Sequence, residues 1–159
     1  EQTMATISNV TLAISDYNSL TGTVKLTFKY RLTPSAVEKM AGTVYKEQLS
    51  LLGRDYAIPL PIPVEAERAD ILLPTRDSTI RTFNGGMFAA SPSTPAIDRQ
   101  FVVTVAKSIL NEDPELSSTG SETSDEVLSK VMVTMIANLP VGAGPIPPGF
   151  SSVVSGTWT

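Results

Sequence analysis

The densest group of chemically competent side chains lies between residues 111 and 126. Glu112, Asp113, Glu115, Glu122, Asp125 and Glu126 occur there without one basic residue. Carboxylates in such a cluster can work as an acid/base or nucleophile pair, as in a glycosidase. They can also converge as oxygen ligands on a hard cation, of which calcium takes six to eight. The D-x-[DN]-x-[DN]-G calcium-loop pattern is absent, and a small domain of short strands rarely offers a glycosidase cleft. Glu112, Asp113, Glu115, Asp125 and Glu126 are therefore candidate calcium ligands. The plainer alternative is a solvated acidic loop punctuated by Pro114, Ser117, Ser118, Gly120 and Ser121. No other cofactor is expected.

Most other chemistry is excluded by residue type. The chain has no histidine and no cysteine, which removes Ser–His and Cys–His dyads, thiolate-bound metals and disulfides. No G-x-S-x-G elbow, P-loop or dinucleotide fingerprint is present. Asn84-Gly85-Gly86 lacks the strand-to-helix setting such loops need and reads as a turn. A non-enzymatic role is expected.

Two binding features remain. Lys25, Lys29 and Arg31, with Lys46 beside them, form a basic stripe, read either as an anion-binding face or as a solvated face that discourages wrong strand pairing. Among the few aromatic residues, Tyr56 beside the proline run is the best candidate for an exposed carbohydrate-contacting ring, with Tyr17 next. Trp158 reads as a core or interface anchor. Asn9-Val10-Thr11 has the spacing of a glycosylation acceptor, but it sits inside an ordinary strand pattern. The formal net charge is −4, from 12 basic and 16 acidic residues. That balance argues against a nucleic-acid partner. No apolar run reaches the length of a membrane span, so no membrane insertion is expected.

The elements that must position these groups are mostly strands. In Gly22–Leu32, Val24, Leu26, Phe28, Tyr30 and Leu32 alternate with Thr23, Lys25, Thr27, Lys29 and Arg31, a period of two with one core face. Thr6–Ile14 is a preceding strand with Val10, Leu12 and Ile14 on one face. Ile7 is out of phase, which predicts a bulge near Ser8-Asn9. The two segments should form an antiparallel hairpin. Thr33–Gly42 predicts one short helix: Thr33 as cap with Pro34 at the first helical position, or a later start through the Ser35/Glu38 capping box. Val44–Leu52 is a strand whose apolar face, Tyr45, Leu49 and Leu51, is interrupted by Glu47.

The alternating prolines of Ile58–Pro63 forbid a central strand. Ala69–Leu73, Ser78–Phe83 and Gln100–Ala106 are further strands, the last with Phe101, Val103 and Val105 inward. Val127–Ala137 is apolar on both faces: Val131, Val133 and Met135 on one, Leu128, Met132 and Ile136 on the other. Pro140–Gly149 is a Gly/Pro-rich arm, and Phe150–Trp158 is the last strand.

The 159 residues thus read as a single domain, all-β, an antiparallel two-sheet β-sandwich of immunoglobulin-like or related type. It has seven or eight strands and at most one short helix near 34–41. If Glu1 is a processed N-terminus the protein is extracellular or at the cell surface. If residues 1–3 are an addition ahead of a start at Met4, it is cytoplasmic. The expected function is a structural or protein-interaction module that self-associates, with Leu128, Met132, Ile136, Trp158 and Tyr56 as contact residues. The alternative is a ligand-binding module for carbohydrate or a calcium-dependent ligand.

Overall fold

In the computed structural model the described residues are 4–18, 20–54, 77–110 and 125–156. They form two antiparallel sheets. The first contains β1 (Thr6–Asn18), β2 (Thr23–Thr33) and β5 (Ile97–Ala106) in the order β1-β2-β5. The second contains β3 (Val44–Arg54), β4 (Asp77–Ala89), β6 (Asp125–Ala137) and β7 (Gly149–Phe150) in the order β4-β3-β6-β7, and β8 (Val154–Gly156) also pairs with β6. The expected all-β, two-sheet architecture and its six-to-fourteen hairpin with β2 are present.

The alternation in β2 decides the interior. Val24, Leu26, Phe28, Tyr30 and Leu32 are all buried, and β2 pairs with β5 without a register break from Thr23↔Ala106 to Leu32↔Ile97. Phe28 therefore lies directly across from Phe101. From the facing sheet Phe83 of β4 completes a trio of tilted rings, with centroids 5.8–6.1 Å apart, inside the range that favours aromatic pairs. Leu49, Leu51, Val127, Val131 and Val133 of the second sheet join the same core.

The expected irregularity in β1 is real. The β1–β2 register shifts between Ser8 and Thr11, and Asn9 takes a left-handed φ of 54°. The extra residue lets both Ile7 and Val10 turn inward, where they meet Gly149 of β7. A Cβ at Gly149 would lie 2.6 Å from Ile7 Cγ2 and 2.8 Å from Val10 Cγ2. Glycine is thus required there by close approach of the two sheets.

One choice left open by the sequence is settled and two local expectations need correction. The short helix α1 (Ala36–Ala41) starts at Ser35, not at Thr33: Ser35 Oγ accepts from the Glu38 N–H, the Glu38 side chain reaches back to Ser35 N, and Gly42 caps the other end at φ 66°. The reciprocal capping bonds outweigh the preference for proline in the first turn. Asn84-Gly85-Gly86 lies within β4 and is not a turn. The last strand is not continuous, because Ser151 intervenes between β7 and β8. Ser151 Oγ accepts from Ser129 N while Ser151 N donates to Ser129 O, so a side chain replaces one rung of the backbone ladder. Ile58–Pro63 and Ala69–Leu73 fall outside the described residues.

Phe28 is fully buried between both sheets. Phe28→Ala is expected to cost about 3–5 kcal/mol, measured by urea titration with the slope of the transition unchanged.

Candidate functional site

The charged residue that interrupts the apolar face of β3 is the best-held polar group among the described residues. Glu47 is 1% exposed and points into the sandwich. Its carboxylate accepts from the Tyr30 hydroxyl of β2. It also receives Arg99 of β5 through Nε at 3.1 Å and Nη2 at 3.0 Å, and the Gly86 N–H of β4 at 3.0 Å. Four strands from two sheets meet on one side chain. The Arg99 guanidinium lies 4.4 Å over the Phe88 ring, and Phe88 stacks on Tyr45 at 5.3 Å. A planar cation between a carboxylate and an aromatic face suits arginine better than lysine.

The local sequence explains how the pocket forms. The β3–β4 register shifts between Lys46 and Gln48, opposite Met87 and Asn84, so β4 carries one extra residue opposite Glu47. Both Gly85 and Gly86 sit in this bulge. A Cβ on Gly85 would fall 2.3 Å from Glu47 Cγ and 2.4 Å from Oε2. The glycine pair that resembles a turn signal is there to leave room for a carboxylate.

Burial pushes the Glu47 carboxyl towards its neutral form, but Arg99, Tyr30 and the Gly86 N–H outweigh this and hold it below the usual carboxylate range. Tyr30 is pushed well above its ordinary value by burial and by the Glu47 carboxylate. The Glu47 pairing raises Arg99 further, so it stays charged.

A second carboxylate is buried on α1. Glu38 of α1 is 0% exposed. It accepts from Ala5 N at 2.9 Å and from the Tyr45 hydroxyl at 2.5 Å, besides its capping bond with Ser35. Burial and the Glu38 carboxylate raise the Tyr45 hydroxyl well above its ordinary value. This group ties the chain start, α1 and β3 together. Each of these carboxylates is engaged by several protein donors.

Comparison with protein-family models and with curated protein sequences finds no match. Among solved structures, the chain is similar to a protein from Archaeoglobus fulgidus at 8% identity and a TM-score of 0.50, covering 96% of this chain and 97% of the other. It is also similar to Spo0M, a sporulation control protein from Bacillus subtilis, at 11% identity and a TM-score of 0.46. That match covers 93% of this chain and 48% of Spo0M. At 8% identity the Archaeoglobus likeness supports the fold alone.

The sequence-derived candidates fall as follows. Glu112, Asp113, Glu115, Tyr56 and Trp158 lie outside the described residues. Asp125 and Glu126 begin β6 and pair with Gly156 and Ser155 of β8. Among the described residues no three acidic side chains cluster as a metal site, and no helix is long and apolar enough to cross a membrane. On the outer face of β6, Met132 and Ile136 are 40% and 44% exposed, whereas Leu128 on the same face is 1% exposed opposite the buried Leu52.

The Glu47 centre was not singled out from the sequence as a site, although a signal exists. Arg99 is in phase with Ile97, Phe101 and Val103, and Glu47 with Tyr45 and Leu49. Two opposite charges, each on the core parity of its strand, imply a buried pair.

Gly85→Ala is expected to destabilise about as much as breaking that pair, roughly 3 kcal/mol, because the new methyl displaces Glu47. In a Glu47→Ala background most of that cost should vanish, and a double-mutant cycle by urea titration reads the coupling.

The titrations also have defined signs. The lowered Glu47 value means its contribution is present above the ordinary pH of 4.5 and is lost as pH falls through the folded value. Tyr30 and Tyr45 keep their protons when folded but ionise near 10.0 when unfolded, so stability should fall as pH rises past 10. Urea titrations between neutral and strongly alkaline pH should show that fall, and Tyr30→Phe should make it shallower.

Proposed function

We propose that this chain is a non-catalytic β-sandwich interaction module that associates with a second copy of itself through the free edge and outer face of β6. The observation that carries the reading is the edge of β6 from Met132 to Ala137, which pairs with no strand among the described residues. On one side β6 pairs with β3 along its length. On the other side, among the described residues, it meets only β8 at 125–127, Ser151 at Ser129 and β7 at 130–131. Ser129 directs both its N–H and C=O to that second side. By the period of two, Val133 and Met135 direct theirs the same way, up to a register shift at Ile136, and no strand among the described residues pairs with them there.

Such an edge is usually guarded by charge, proline or a covering element. Val131–Ala137 contains no charged residue and no proline. An antiparallel copy centred on Thr134 would place Met132 against Ile136 on the outer face and Val133 against Met135 on the inner. Both pairs are apolar and both rows are self-complementary, as a two-fold interface requires. The arm runs alongside this edge: Leu139, Pro145 and the buried Ile146 line, with Met132, Val133, Thr134 and Met135, a cavity of about 320 Å³ that separates the two. Leu139 and Phe150 are exposed nearby. The absence of histidine and cysteine and the full engagement of Glu38 and Glu47 support a role by contact.

Light scattering of the full chain at high micromolar concentration should give a dimer mass. Met132→Lys with Ile136→Lys puts charges on two exposed positions and should yield monomer with unchanged strand content. A monomeric parent, or an intact dimer in the double variant, overturns the reading.

A further inference from the structure

The basic stripe of β2 is not used by the β6 interface, and it lies on the other sheet. On the outer face of the first sheet, Thr11, Lys29 and Gln100 form one cross-strand row, and Ser8, Arg31 and Asp98 form the next. Between these rows the β1 bulge sets Asn9 and Val10 opposite Tyr30 and interrupts the regular pairing. The result is a concavity of about 420 Å³ lined by Asn9, Thr11, Lys29, Arg31, Asp98 and Gln100, with Tyr30 and Arg99 in its floor. A bulge beside a concavity is a common way to re-aim a side chain. Here it places Asn9, in its left-handed conformation, at the rim.

The charges of this concavity are unequal. Arg31 is held by Asp98 through Nε–Oδ1 at 2.7 Å and Nη2–Oδ2 at 3.2 Å. Arg99 in the floor is neutralised by Glu47. Lys29 forms no ion pair among the described residues. The surplus is one positive charge, surrounded by two amide side chains and a hydroxyl that can both donate and accept. Tyr30, the one aromatic residue of the lining, is 3% exposed with its hydroxyl on the buried Glu47, so the concavity supplies no stacking face for a neutral sugar. It supplies one charge-assisted contact and several directional hydrogen bonds.

We propose that this concavity binds a small hydroxylated anion, through the carboxylate or phosphate of an acidic sugar. Lys29 takes the charge, and Asn9, Thr11 and Gln100 take the hydroxyls. Arg31, fixed by Asp98, forms the wall and leaves Nη1 available.

Calorimetry of the full chain with glucuronate, glucose 6-phosphate and glucose, each up to about 10 mM, tests this in the range expected for so few contacts. Saturable binding of either anion with none of glucose supports the site, and the tighter anion tells carboxylate from phosphate. Amide chemical shifts should move at Asn9, Thr11, Lys29 and Gln100. Lys29→Ala should weaken binding about tenfold, one lost charge-assisted bond. Asn9→Gly keeps the left-handed backbone and should weaken it less. Both positions are exposed, so the fold should survive, and an unchanged amide spectrum elsewhere checks this. No saturable binding of either anion, equal binding of glucose, or undiminished binding by Lys29→Ala overturns the proposal.

Discussion

A carboxylate moved out of water needs donors on every side or a cation against it, and Glu47 meets that need with groups drawn from both sheets. Tyr30 comes from β2, Arg99 from β5 and the Gly86 N–H from β4. None of these groups is close to Glu47 in sequence. The contact can form only when the two sheets are stacked in one alignment. A one-residue slip of β5 would turn Arg99 to solvent together with every core side chain of its strand. A buried pair of this kind adds little net stability over an apolar replacement. Its effect is to penalise wrong alignments, because each leaves a charge buried and unpaired.

The two long sides of the sandwich are closed by different physics. On the β4–β5 side, closure is polar: Arg99 bridges from the first sheet to Glu47 and lies on Phe88. On the β1–β7 side it is steric and apolar, with Gly149 admitting Ile7 and Val10 to near contact. Both closures depend on a bulge. The extra residue at Gly85-Gly86 makes room for Glu47, and the extra residue at Asn9-Val10 turns both Ile7 and Val10 inward. Glu38 adds a third tie, holding the chain start and α1 to β3 through Ala5 and Tyr45.

The same devices leave two surfaces with distinct chemistry. The bulge of β1 at Asn9 borders a polar concavity beside Lys29. Because β7 begins only at Gly149, after Pro147-Pro148, no strand among the described residues pairs with the second edge of β6 from Met132 to Ala137. One surface is polar with a surplus cation and the other is apolar and uncharged, so they suit different occupants and can act independently.

Local pattern by itself determined the strands and their faces. The period of two in β2, the out-of-phase Ile7 and the two-faced β6 all depend on neighbours within a few residues, and the core formed by Val24, Leu26, Phe28, Tyr30, Val103, Val105, Val131 and Val133 follows from parity alone. The Ser35/Glu38 and Gly42 helix signals are local in the same way. What only the tertiary structure decided is where the charged and glycine residues went. Glu47 reads as a flaw in an apolar face until Arg99 and Tyr30 arrive from other strands, and Asn84-Gly85-Gly86 reads as a turn until a carboxylate occupies the space beside it. Leu128 and Met132 have the same parity and similar hydrophobicity, yet one is buried and the other exposed, because burial on an outer face depends on what lies over it. Sequence periodicity reports the side of a strand to which a residue points. It carries no information about which distant group will meet it there.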